Sequence, residues 1–168
     1  MMKVIVSDMG GVLYSFDPGF DPDKHQEEFD RAMQKLGKEG APIKEQLGGE
    51  WEAVRGELLK IYAVKRGVEN MLVNLKSYKL VIVSTSLIKT SHLILEKIGL
   101  GKRAWKIFDI SDFGSKQDPN AWRKIFEHLP SVDVIVEDGE KNLVAAQRAA
   151  KELGFTPKVF KDVPVLKS

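Results

Sequence analysis

The chain predicts an α/β fold, a Rossmann-like doubly wound parallel sheet of five strands, and three observations carry that reading. Short apolar runs that look like buried strands recur along the sequence, segments of helical periodicity lie between them, and each run ends near a polar residue or a glycine. Strands buried on both faces read as continuous apolar runs, and parallel neighbours need a crossover, usually a helix, between them. With 168 residues, 43% of them hydrophobic, the chain can bury a core of its own, so one domain with a small insertion is expected.

The runs at residues 4–6, 80–83, 107–110, 134–136 and 159–160 are the expected strands. Val68, Met71, Leu72 and Leu75 hold one helical face before the second of them, and Leu87, Ile94, Leu95 and Ile98 do so after it. Asp118 followed by Pro119 reads as an N-cap with proline at the first helical position, opening a helix that turns Ala121, Trp122, Ile125, Phe126 and Leu129 inward. Gly154 ends a last helix carrying Leu143, Ala146, Ala150 and Leu153. Trp122 and Trp51 fall on apolar stripes and read as core; Trp105 is expected just before the third strand.

The first two strands are about 70 residues apart, whereas a crossover needs only a dozen or more. The excess is an insertion. Asp21 and Pro22 start a helix with Phe29, Ala32, Met33 and Leu36 on one stripe, and Trp51, Val54, Leu58, Ile61 and Tyr62 mark a second. The expected division is a core of residues 1–14 and 67–168 and a small helical cap of residues 15–66 over the C-terminal edge of the sheet.

Composition excludes several classes of function. The 26 basic and 24 acidic residues are interspersed and leave a net charge of +2, so nucleic acid is not indicated as a partner. The absence of cysteine rules out disulfides, thiolate nucleophiles and Cys-ligated metals, and the three histidines (His25, His92, His128) show no metal-ligand spacing. No run approaches a membrane span or a signal-peptide core, so a soluble cytoplasmic protein is expected.

The residues able to do chemistry stand at the strand ends. Asp8 closes the first run and is followed by Met9, Gly10 and Gly11, which places a carboxylate beside backbone that can approach a ligand closely. Glu137 and Asp138 close the fourth run, followed by Gly139 and Asn142. If those two strands are neighbours, three carboxylates share one crevice, and Mg²⁺ with oxygen ligands is the ordinary remedy for their repulsion. Ser84, Thr85 and Ser86 end the second run with hydroxyls and amides suited to phosphate oxygens, or to capping the next helix. Lys116 lies in a loop rich in small residues before Asp118.

In this order the four pieces resemble the four motifs of the haloacid dehalogenase-like (HAD) hydrolases. Asp8-Met9-Gly10-Gly11-Val12-Leu13 is similar to the first motif, Ser84 after its apolar run to the second, Lys116 before Asp118-Pro119 to the third, and Glu137-Asp138 with Asn142 to the fourth. The resemblance spans nearly the whole chain. It implies phosphoryl transfer through an aspartyl-phosphate, with Asp8 as nucleophile and Lys116 as its catalytic partner. It further implies Mg²⁺ held by Asp8, the Gly10 carbonyl, Asp138 and Glu137 with support from Asn142, and phosphate bound by Ser84, Thr85, Gly11 and Lys116. The expected activity is that of a slow phosphatase acting on a small phosphorylated metabolite. Because Asp8, Ser84 and Asp138 must then face one crevice, the five strands should lie in the spatial order 5-4-1-2-3.

The chain departs from the family at Gly10, where a second aspartate usually serves as general acid and base. Asp17 and Asp21 are the nearest substitutes in sequence, although a loop turn and an N-cap account for them too. The alternatives are a non-catalytic HAD-like domain that binds a phosphorylated ligand or a protein, and a metal-free dehalogenase acting at carbon. A receiver domain has no room for the long first insertion.

Overall fold

The structure, a computed structural model, describes residues 2–10, 12–16, 62–64, 68–85 and 88–162. Its strands are β1 (Lys3–Ser7), β2 (Tyr14–Phe16), β3 (Tyr62–Val64), β4 (Tyr78–Ser84), β5 (Ala104–Asp109), β6 (Val134–Val136) and β7 (Lys158–Phe160). Its helices are α1 (Val68–Asn74), α2 (Ile88–Lys97), α3 (Pro119–Phe126) and α4 (Glu140–Glu152). Five strands form one parallel sheet in the order β5-β4-β1-β6-β7. Numbered along the chain that is 3-2-1-4-5, the expected order read from the other edge.

The pleat sends alternate side chains to opposite faces, and each face has its own core. Val4, Val6, Val81, Val83 and Ile135 pack with Trp122, Ile125 and Phe126 of α3 and with Leu143, Ala146 and Ala150 of α4. Ile5, Leu80, Ile82, Val134 and Val136 pack on the other side with Val68, Met71 and Leu72 of α1 and with Ile94 and Leu95 of α2. Two covered faces are the reason the strand runs are uninterrupted in the sequence. Gly154 has φ of +80°, the left-handed conformation that lets Phe155 N return to the Ala150 carbonyl at 2.9 Å and close α4.

Two expectations are corrected. Ile110 does not end the third strand but starts a 3₁₀ turn over Ile110–Asp112, because the Asp109 side chain accepts bonds from Ser111 N (3.1 Å) and Ser111 Oγ (2.6 Å) and so caps that turn. The strand begins earlier instead, at Ala104, and includes Trp105. Tyr62, expected on a helical stripe, is the first residue of β3, which pairs antiparallel with β2, Tyr14 opposite Val64 and Phe16 opposite Tyr62. A β-branched or aromatic residue at a helix-compatible spacing fits a strand equally well. The two strands form a small second sheet separate from the parallel one. The remaining stripe residues of the expected cap, with Asp17, Asp21, Gly11, Ser86 and Leu87, lie outside the described residues.

Candidate active site

Asp8 leaves the end of β1 toward β6: its amide donates to the Val136 carbonyl at 2.9 Å and continues the ladder one residue past the strand. The chain then turns sharply, with the Met9 carbonyl accepting from Val12 N at 3.2 Å and Leu13 N at 2.8 Å. Met9, Val12 and Leu13 are buried beneath that turn, so apolar burial holds the backbone on which Asp8 stands. The Asp8 carboxylate accepts from Met9 N at 2.8 Å and from Lys116 Nζ at 2.7 Å, both on Oδ1.

Lys116 reaches Asp8 from the loop between β5 and α3, 108 residues away in the chain. Gly114, at φ of +144°, turns that loop where an added Cβ would stand 3.2 Å from the Ala121 Cβ. Beyond it the Asp118 side chain caps α3, accepting from Asn120 N at 2.9 Å. The buried Trp122 indole donates from Nε1 to the Lys116 carbonyl at 2.7 Å. Trp122 is core, as its stripe predicts, and it also ties the lysine's backbone to α3. Only its spacing six residues after Lys116 could have hinted at that tie.

Glu137 is fully buried at the end of β6. Its Oε2 accepts from Lys116 Nζ at 2.7 Å, and its Oε1 accepts from Gly139 N at 3.2 Å and Asn142 Nδ2 at 3.4 Å. Lys116 thus bridges two carboxylates, and Glu137 has both oxygens engaged. Gly139 has no Cβ to displace the Asn142 amide, which lies 2.7 Å from where a Cβ would stand. Asp138, next in the chain, is exposed.

Asp8, Glu137 and Asp138 each place one carboxylate oxygen within 4.8 Å of the others. Three formal negative charges face the single ammonium of Lys116, and the site pushes the Asp8 pKa up to about 7. Burial is the largest cause, the charge of Glu137 and a hydrogen bond with Asp138 add to it, and Lys116 opposes it. A convergent set of hard oxygen donors with uncompensated negative charge fits a divalent cation such as Mg²⁺. Glu137 fits it least directly, because its oxygens already hold Lys116, Gly139 and Asn142.

Ser84 is buried at the C-terminal end of β4, on the strand that pairs with β1, two residues beyond the Ile82 that lies opposite Ser7. Thr85, next to it, is exposed. Asp8, Ser84, Lys116, Glu137, Asp138 and Asn142 therefore all belong to the C-terminal edge of the sheet, at the point where the strand order reverses about β1. Gly10 bridges to Tyr14, and the phenol of Tyr14 lies against it.

No protein-family model and no curated protein matches the chain. Solved structures do. A protein from Thermotoga maritima described as a β-phosphoglucomutase superposes with a TM-score of 0.63 at 22% identity, over 99% of this chain and 88% of that one. A HAD family enzyme from Bacteroides thetaiotaomicron, solved as an aspartate-to-alanine mutant with magnesium and inorganic phosphate, gives 0.64 at 13% identity over 95% and 93%. The fold is that of the haloacid dehalogenase-like proteins. The L-2-haloacid dehalogenase of Xanthobacter autotrophicus shares it as well, at a TM-score of 0.56 and 16% identity over 89% of this chain and 75% of that one. Structures described as a phosphoglucomutase and as a haloacid dehalogenase thus share this fold, and an activity has to be argued from the side chains. Among the described residues, no helix is long and apolar enough to cross a membrane.

Proposed function

We propose that this chain is a magnesium-dependent phosphatase of the HAD type, which moves the phosphoryl group of a small phosphorylated metabolite first to Asp8 and then to water. The observation that carries the reading is the Lys116 ammonium held between Asp8 and Glu137 at 2.7 Å each, with Asp138 beside them. A dehalogenase attacking carbon needs no metal, which would leave Lys116 alone to offset the charge of Asp8, Glu137 and Asp138.

Asp8 would attack phosphorus; Oδ1 is fixed by Met9 N and Lys116, and Oδ2 is the oxygen that those two bonds do not use. Lys116 and the Ser84–Thr85 strand end would take the phosphoryl oxygens and stabilise the charge that develops on them. Asp8, Asp138 and the Gly10 carbonyl would hold Mg²⁺, with Glu137 and Asn142 in support. When bound, the ion offsets the charge of the carboxylates and of the transferring group. Residues 15–66, which open and close on the paired strands β2 and β3, are proposed as the cap that shields the crevice and selects the leaving group. Gly10, in place of the usual aspartate, is the observation that favours the second reading, a domain that binds a phosphorylated ligand without turning it over.

Hydrolysis of an aryl phosphate in the presence and absence of Mg²⁺ tests the proposal. Turnover is expected with the ion, and loss of turnover with chelator. Equal turnover in both counts against the magnesium dependence, and binding of the phosphate ester without product favours the second reading.

A further inference from the structure

The general acid expected at position 10 is missing, yet the space it would fill is not empty. Among the described residues, positive φ occurs only at Gly99, Gly114 and Gly154, so Gly10 has a backbone that a side chain could adopt. A Cβ built there meets the Tyr14 phenol, with Oη at 3.3 Å and Cζ at 3.7 Å. The polar end of Tyr14 therefore stands where the side chain of residue 10 would begin. The turn that carries Asp8 also fixes the ring: Tyr14 N donates to the Met9 carbonyl at 3.4 Å, and the half-buried ring packs on the core beneath that turn. Tyr14 is also the first residue of β2, the strand that leads into residues 15–66.

We infer that the Tyr14 hydroxyl is the proton donor to the leaving group, an inference that rests on the phosphatase reading above. In the first step the Asp8 carboxylate forms a bond to phosphorus as the bond from phosphorus to the ester oxygen breaks. The electron pair stays on that oxygen, the phenolic proton moves to it, and the alcohol departs. In the second step water attacks phosphorus, its proton returns to the phenolate, and the Asp8 carboxylate leaves with its electron pair. Ester and water become alcohol and phosphate, and Tyr14 and Asp8 are restored. A proton donor matters most where the departing oxygen is strongly basic and little where the leaving group is already good. Alkyl phosphates should depend on Tyr14, and aryl phosphates with acidic phenols should not.

The test compares kcat/KM of the native protein and Tyr14→Phe over phosphate monoesters of graded leaving-group pKa. The expected result is a rise of about 10²-fold in the preference for aryl over alkyl phosphates, the low end of general acid catalysis. A beryllium trifluoride and Mg²⁺ melting shift as large in Tyr14→Phe as in the native protein shows the variant to be folded with an intact crevice. Gly10→Asp added to Tyr14→Phe, where the phenol oxygen no longer crowds the new side chain, should restore alkyl turnover. An unchanged preference, or equal loss on every ester, overturns the assignment of Tyr14 and leaves the phosphatase reading standing. No turnover of any ester by the native protein overturns both.

Discussion

Beneath Asp8, on the α1–α2 side of the sheet, Met9, Val12 and Leu13 are buried among aliphatic side chains of both helices. Beneath Lys116, on the α3–α4 side, the backbone is tied by the Trp122 indole, and the ammonium is aimed by Glu137, itself held by Gly139 and Asn142. Apolar burial has no direction and supplies stability in proportion to area; a hydrogen bond supplies less and fixes an orientation. The turn that carries the nucleophile is thus held by apolar burial, and its cationic partner is aimed by polar ties. A carboxylate that must stay put while bonds change around it benefits from the first, and an ammonium that must meet two carboxylates at once needs the second.

A pair of substitutions can break this contrast. Leu13→Ala should cost about 2–5 kcal/mol of stability, read as a shift of the urea midpoint, because a fully buried leucine is replaced by a cavity. Trp122→Phe keeps an aromatic ring in the core but leaves the Lys116 carbonyl without its donor, which should cost about 1–3 kcal/mol. It should nevertheless lower turnover about tenfold or more, since small misplacement of a catalytic group is costly. A larger activity loss from Leu13→Ala, measured on folded protein, would reverse the assignment of the two sides.

A smaller effect sharpens the contrast through pH. The native Asp8 holds its proton up to about 7, while an unfolded aspartate releases it near 3.8. Between those values the folded state binds more protons than the unfolded one, so this group's contribution to stability falls as pH rises through that window. In metal-free solution Asp8→Asn should gain melting temperature over the native protein as pH is raised from 4 to 7, reaching a few degrees. Millimolar Mg²⁺ should shrink that gain by stabilising the native protein. A difference between the two melting curves that does not change with pH would show that the crevice imposes no strain on Asp8.

The sheet order and most of the crevice were legible because a buried parallel strand writes itself as an apolar run and its end as a polar residue. Asp8, Ser84, Glu137 and Asp138 stand out on that rule; Lys116 stands out by its likeness to the third motif, and the cap at Asp118 by the proline that follows it. Ile110 was misplaced because an apolar residue continues the run of β5, while the side chain of Asp109 turns the backbone away. Tyr62 was misplaced because one aromatic fits either period, and its partner Phe16 is far away in the chain. The tie from the Trp122 indole to the Lys116 carbonyl and the contact of the Tyr14 phenol with Gly10 join side chain to backbone, and beyond their short spacings no pattern along the chain records them. That Glu137 is buried with both oxygens hydrogen-bonded while Asp138 is exposed was equally invisible, since the two are adjacent and chemically alike.

The central claim is that Asp8 itself takes up the phosphoryl group, and trapping that group tests it most directly. The protein, turning over an aryl phosphate with Mg²⁺, is quenched into hydroxylamine, which converts an aspartyl-phosphate to a hydroxamate that peptide mass analysis locates. The account predicts the modification on the peptide that contains Asp8, and none on Asp8→Asn. Turnover that continues with no modified Asp8, or with the modification on another carboxylate, would contradict it.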